Sequence, residues 1–184
     1  MRVITGTARG IRLQTLEGLD VRPTTDRVKE GMFSAIQFDI PGARVLDLFA
    51  GSGQLGIEAL SRGAKQAVFV DQSAKSLAVV KENLQKCGFT DRVEIHQKAA
   101  EQFIRTAQPH SFDMVFLDPP YRMDILAKIL PDLVGLLRPG GIVVAEHEKS
   151  CKIPEKILNL WLQKEYFYGK IVVSVMKLNE EVEP

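Results

Sequence analysis

The chain has 184 residues, 45% of them hydrophobic and 26% charged, with a formal net charge of +1. That is one domain's worth of a core that holds without staples, and it excludes a disordered chain or one whose overall field seeks a polyanion. No apolar run approaches the ~20 residues of a membrane span, the start lacks a signal peptide's apolar stretch, and the two cysteines, Cys87 and Cys151, make no disulfide framework, so a reducing cytoplasm and no membrane partner are expected.

In chain order, "VITGTARGIRLQT" (3–15) reads as a β-hairpin with Gly6 and Gly10 bracketing its turn. Residues 1–12 carry Arg2, Arg9 and Arg12 and no acid, whereas Glu180, Glu181 and Glu183 make the last residues acidic. Such an asymmetry marks either a polyanion-facing end or ordinary solvated surface. "RPTTDRVKEGMFSAI" (22–36) reads as a helix entered after Pro23 and capped by Thr24 or Thr25.

From residue 44 strands and helices alternate. Strands are expected over 44–49, 67–71, 92–97, 112–118 and 142–147, and helices over 53–63, 73–88, 99–107 and about 124–137. Ser73 is the N-cap of the second helix, Gly63 and Gly88 stop the first two, and "RPGG" (138–141) reads as a turn. "KEYFYGKIVVSVMKL" (164–178) reads as two antiparallel strands turning at Gly169. The expectation is an α/β, Rossmann-like fold: a doubly wound, mostly parallel sheet of seven strands with an antiparallel C-terminal edge hairpin. Residues 1–184 form a single domain, divided into an extension over 1–21 and a core over 22–184. Cys87 shares a helical face with Leu77, Val80 and Leu84 and reads as core, while His147 and Cys151 read as an incidental surface pair. The three histidines lie far apart with no metal-ligand spacing, so no metal is expected.

Two stretches carry chemistry. In "LDLFAGSGQLG", Gly51, Gly53 and Gly56 follow a strand and open a helix in G-x-G-x-x-G spacing, and Asp71 ends the next strand. That context suggests an adenosine-containing ligand with Asp71 on the ribose hydroxyls. Asp47, just before the loop, would repel a pyrophosphate at the helix N-terminus but attract a sulfonium and an ammonium, which favours S-adenosylmethionine over NAD. The other reading of Asp47 is an acid that caps local backbone N–H groups, and it does not exclude the ligand role.

The second stretch is "FDMVFLDPPYR" (112–122). Its strand should neighbour the first one at the switch point of the sheet, beside the proposed donor. Pro119 keeps Asp118 extended, and two prolines make the turn rich in acceptors. Asp118 and the Pro119 carbonyl can accept both hydrogens of an exocyclic amine and aim its lone pair at the methyl group. Tyr121 offers a face on which a flipped-out base can stack. The competing reading is a turn that merely ends a strand.

"DPPY" resembles the [D/N]-P-P-[Y/F] signature of amino-group N-methyltransferases of the adenosylmethionine-dependent fold. With "GTARGIRL", "RPTTDRVKEGMFS" and "VLDLFAGSGQLGIEALSRGA" the chain resembles, over about residues 2–147, the bacterial 16S rRNA guanine-N2 methyltransferase family. The resemblance implies methylation of a guanine N2 amine in 16S rRNA within a partly or fully assembled small ribosomal subunit, with S-adenosylhomocysteine as product; the transfer needs no metal, and a monomer is expected. It places Asp118, Pro119 and Tyr121 on the guanine, Asp47, Phe49, Gly51, Ser52 and Gly53 on the methionine part of the donor, and Asp71 on the ribose. Gln72 and Thr24 join the donor-binding set, Arg22, Pro23 and Thr24 match a motif near the site mouth, and Arg2, Arg9, Arg12, Arg22 and Arg27 are candidates for the RNA. The chain departs from many relatives at "HQKAAEQF", where Lys98 stands in place of an acid or amide. The adenine contact then passes to backbone N–H groups around Ala99 and Ala100, or to Glu101 and Gln102. Other readings are methylation of a DNA adenine or cytosine or of a protein glutamine, an NAD-dependent oxidoreductase, and a non-catalytic RNA-binding assembly factor.

Overall fold

A computed structural model describes residues 1–16, 25–120 and 125–179 of the chain. Tyr121, Arg22, Pro23 and Thr24 lie outside these residues.

Helix α1 (Asp26–Ala35) starts at Thr25, whose hydroxyl accepts the Val28 N–H. Then come β1 (Arg44–Asp47), α2 (Gln54–Ser61), β2 (Gln66–Asp71), α3 (Ala74–Cys87), β3 (Val93–Gln97), α4 (Ala100–Thr106), β4 (Phe112–Leu117), α5 (Ile125–Leu133), β5 (Leu137–Glu148), β6 (Lys156–Ile157), β7 (Leu160–Tyr168) and β8 (Ile171–Leu178). Ser73 caps α3 by accepting the Ser76 N–H, and Gly88 ends it in the left-handed region.

The strands form one sheet in the order β3-β2-β1-β4-β5-β8-β7-β6. β1 to β5 are parallel, and β8, β7 and β6 add on antiparallel. β1 lies between β2 and β4, so the order reverses beside it, as the strand pattern requires. Alternate residues of the strands feed two cores. One packs Val45, Phe69 and Phe116 with Met32 and Phe33 of α1, Leu55 of α2 and Val80 of α3. The other packs Leu46, Val68 and Val115 with Phe103 of α4 and Leu126, Ile129 and Leu133 of α5.

Three expectations need correction. The sheet has eight strands rather than seven, because residues 156–157 form a two-residue edge strand too short to leave a pattern. "RPGG" is not a turn between elements. It lies within β5, where the pairing with β4 shifts register between Phe112 and Met114, as at a β-bulge. His147 is not at the surface: it is 4% exposed, and its Nε2 lies 2.8 Å from Ser174 Oγ.

The N-terminal segment pairs with itself as a short antiparallel hairpin: Arg2 bridges Arg12, the Val3 N–H donates to the Ile11 carbonyl, and the Leu13 N–H donates to the Met1 carbonyl. Its other backbone donors go to α2: the Ile4 and Thr5 N–H groups donate to the two oxygens of Glu58 at 2.8 and 3.0 Å, and the Ala8 N–H donates to Ser61 Oγ at 3.0 Å. Gly6, at φ 87°, lets the chain run close: a Cβ there would sit 1.8 Å from the Ser61 carbonyl oxygen. Glu58 is fully buried and also meets Lys29 Nζ at 3.3 Å and Arg62 Nε at 2.9 Å. Burial lowers the pKa of Lys29 despite that carboxylate beside it.

Candidate active site

At the C-terminal ends of β1, β2 and β4 a cleft of about 470 Å³ opens. It is lined by the turn after β1 (Asp47 to Ser52, then Gln54 and Leu55), by Asp71 and Gln72 after β2, by Lys98 to Glu101 after β3, and by Asp118 to Pro120 after β4. Thr15 and Leu16 bring the N-terminal segment to the same rim.

The glycine loop is held by its own acids. Asp71 accepts the Gly51 N–H at 2.9 Å and the Ser73 N–H at 2.8 Å. Each oxygen keeps a second lone pair for a ligand hydroxyl. Gly53 is left-handed at φ 79°, its N–H bonds back to the Ala50 carbonyl, and it does not line the cleft. Gly56 lets α2 lie close on β2, since a Cβ there would come within 2.4 Å of the Phe69 ring.

Asp47 caps a backbone N–H group, as one of its readings has it, and also borders the cleft. It is 1% exposed, and its Oδ2 accepts the Gly56 N–H at 2.9 Å. Burial raises its pKa to about 7; the Gly56 bond works against this, and the negative Asp71 adds to it. A carboxyl poised there is half ionised at neutral pH and gains strongly from a cation in the cleft.

Asp118 stands half-buried at the end of β4, followed by buried Pro119 and exposed Pro120. The pairing of Asp47 with Phe116 sets Asp118 just beyond Asp47 on the neighbouring strand. Thus Asp47, Phe49, Gly51, Ser52, Asp71, Gln72, Ala99, Ala100, Asp118 and Pro119 meet around one space. Arg2, Arg9, Arg12 and Arg27 do not line it. They are exposed, and Arg2 pairs with Asp26 at 3.2 Å. Lys98 borders the cleft, but its ammonium donates to Thr106 Oγ1 at 3.2 Å.

Sequence reasoning missed Gln54. It is 6% exposed, lines the cleft, and its Oε1 has no hydrogen-bond partner. Buried acceptors seldom stay unpaired, so this one points to a donor group that the cleft receives. The available signal was a polar residue at the first position of a helix that is otherwise buried. Among the described residues no group of three or more His, Cys, Asp or Glu is arranged to hold a metal ion.

Comparison with known proteins agrees with this geometry. The family model described as conserved hypothetical protein 95 matches residues 1–177. A Bacillus subtilis protein provisionally named an rRNA methyltransferase, YlbH, is 40% identical over 181 residues, covering 96% of this chain and 98% of its own. The ribosomal RNA small subunit methyltransferase D of Haemophilus influenzae is 38% identical over 156 residues, covering 82% of this chain and 80% of its own. The solved structure of yhhF from Escherichia coli, provisionally described as a methyltransferase, superposes with a TM-score of 0.85 at 30% identity, covering 98% of this chain and 99% of that one. A switch-point cleft behind a glycine loop, and relatives of this identity along nearly the whole length, place the chain in the family of S-adenosylmethionine-dependent methyltransferases that includes small-subunit rRNA methyltransferase D.

Proposed function

We propose that the chain transfers the methyl group of S-adenosylmethionine to the exocyclic N2 amine of a guanine in 16S rRNA of the small ribosomal subunit. The observation that carries this reading is the meeting of Asp118 and Pro119 with Asp47 and the glycine loop around one cleft. The relatives named as rRNA methyltransferases support the class of target.

In this reading the donor's adenosine lies toward Asp71, Gln72, Ala99 and Ala100, with Asp71 on the ribose hydroxyls. Its cationic methionine end lies among Asp47, Phe49, Gly51 and Ser52, with Gly53 shaping the turn, and the unpaired Gln54 Oε1 accepts an N–H of the ammonium. Asp118 and the Pro119 carbonyl accept the two hydrogens of the guanine amine, and Tyr121 supplies a stacking face. The amine lone pair forms the N–C bond as the C–S bond breaks. The sulfonium takes that electron pair and leaves as S-adenosylhomocysteine. The surplus proton passes to Asp118 or to water, and the Asp118 carboxylate steadies the positive charge that builds on nitrogen. Arg2, Arg9, Arg12, Arg22 and Arg27 take phosphates of the RNA, and Thr24 joins the donor-binding set.

The test is transfer from tritium-labelled donor to small subunits that lack the modification, beside naked rRNA, DNA and cell protein, followed by digestion to nucleosides. Label in N2-methylguanosine is expected. Label in methyladenine, methylcytosine or protein would overturn the target. Donor binding with no label in any acceptor would overturn catalysis in favour of a binding factor.

A further inference from the structure

The C-terminal edge of the sheet has no part in the cleft, yet it carries an organised surface. Cross-strand partners share a face. Trp161 pairs with both Lys156 of β6 and Lys177 of β8, while Lys164, Tyr166 and Tyr168 of β7 pair with Val175, Val173 and Ile171. These three β8 residues belong to the core on the α1 side. Lys156, Trp161, Lys164, Lys177, Tyr166 and Tyr168 therefore all project on that side. The three lysines are exposed, Trp161 is 39% exposed, and the tyrosines are half-buried against the core.

Cations and rings alternate along this face. Lys156 Nζ lies 4.5 Å from the Trp161 ring centre and Lys164 Nζ 5.2 Å from that of Tyr166. The one acid within β6, β7 and β8, Glu165, projects from the opposite face, where its Oε1 accepts the Ser174 hydroxyl at 3.1 Å. No carboxylate of these strands neutralises the lysines.

The face leads to the cleft end of the molecule. β7 runs in the same direction as β4 and β5, so Tyr168 stands at the end where Asp118 stands. Its hydroxyl presses on Gly31 of α1, where a Cβ would come within 1.7 Å. Burial raises the Tyr168 pKa, with Tyr166 adding to the rise, and the nearby Arg27 charge works against it. From Tyr168 to Trp161 the face spans roughly 23 Å, seven rises of about 3.3 Å.

We propose that this face is a second RNA contact. Lys156, Lys164, Lys177 and Arg27 would take phosphates, and Trp161 would take a base or sugar of a strand running away from the cleft rim. Lysine stems are flexible enough to turn from a ring to a phosphate, and rings between cations suit a nucleic-acid strand better than an acidic peptide, which has no base to stack. The proposal rests on the rRNA reading above for the identity of its partner.

Trp161 is the only tryptophan in the chain, and protein-free 16S rRNA contains none, so its fluorescence reports this face alone. Titration with that RNA should change the emission saturably and cut quenching by iodide at least twofold. In a second measurement, Lys156→Gln, Lys164→Gln and Lys177→Gln combined should flatten the log–log salt dependence of RNA affinity by about 2–3, at 0.7–0.9 for each phosphate left without its lysine. Donor affinity and melting temperature should not change. Full iodide access to Trp161 in the RNA complex, or an unchanged salt slope in the triple variant, would overturn the proposal. Protection by polyglutamate but not by rRNA would also overturn it, in favour of an acidic protein partner. Both readouts follow binding rather than methyl transfer, so the surface and the proposed reaction can fail separately.

Discussion

Replacing Asp47 by Asn tests the electrostatics of the cleft directly. The amide keeps the size of the side chain and can still accept the Gly56 N–H, but it cannot ionise. In the unliganded protein the Asp47 carboxyl has its pKa raised by burial from 3.8 to about 7. A cationic donor binds the ionised form. The ionised fraction falls from about one half at pH 7 to about one in a hundred at pH 5, so the wild-type Kd for S-adenosylmethionine should rise about fifty-fold over that interval. The donor's α-amine, with an ordinary pKa near 7.7–8.0, stays more than about four-fifths charged from pH 7 to 5 and adds little slope. Isothermal titration in buffers of different ionisation enthalpy should show about 0.9 proton released per donor bound at pH 6. In Asp47→Asn the affinity should be weak and flat from pH 7 to 5, with no proton released. Stability should move the other way. A carboxyl whose folded pKa is raised favours the folded state below pH 3.8 and loses that contribution as pH rises toward 7. Asp47→Asn should therefore melt higher than wild type at pH 8, by an upper bound of about 4 kcal/mol at about 1.4 kcal/mol per pH unit, and no higher at pH 3.5. A wild-type Kd that stays constant from pH 7 to 5 would refute the reasoning.

Asp118→Ala should leave donor affinity nearly intact and cut turnover by orders of magnitude in single-turnover assays; wild-type turnover would remove Asp118 from the mechanism. Gln54→Leu should weaken donor binding by about 1.5–3 kcal/mol, roughly ten- to a hundredfold, without lowering the melting temperature, because the oxygen it removes has no hydrogen-bond partner within the protein. Glu58→Ala should destabilise the fold by about 3–5 kcal/mol, as removal of one partner of a buried ion pair does, and limited proteolysis should then cut residues 1–16 first. Arg9→Ala with Arg12→Ala should lower rRNA affinity and flatten its salt dependence, measured by filter binding; an unchanged slope would mean that neither touches phosphate.

Most of the parallel half of the fold was legible because local signals and burial agree there. β1, β2 and β4 are short apolar runs bounded by turn residues, and Thr25, Ser73 and Gly88 mark helix ends by hydrogen bonds within a few residues. The cleft was legible for the same reason: its acids stand at strand ends, and strand ends converge at a switch point. What escaped depends on interactions between distant residues. The hairpin of the extension is a local signal, but its anchorage is not: Glu58, more than fifty residues away, takes two of its N–H groups. "RPGG" has turn chemistry, but pairing with β4 resumes on either side of it, at Leu137 and Ile142, so it becomes an irregularity within β5. Gln54 stood inside a recognised loop, yet an unpaired oxygen is visible only once all its neighbours are in place.

Asn83 of α3 bonds to two distant parts of the chain, Gln14 and Ser52, which lie 69 and 31 residues from it in sequence. Its side chain is fully buried, accepts the Gln14 N–H at 2.8 Å, and donates to the Gln14 and Ser52 carbonyls at 3.0 and 2.9 Å. One amide thus splints the N-terminal strap to the glycine loop. A strap pulled away from Asn83 would strand buried donors and acceptors at about 1–3 kcal/mol each and loosen the loop's hold at Ser52. Whatever tightens the loop tightens the strap by an equal free energy, because such coupling is reciprocal. A methyl donor settling at Ser52 and an RNA pressing on the strap would therefore report to one another through a single side chain that touches neither.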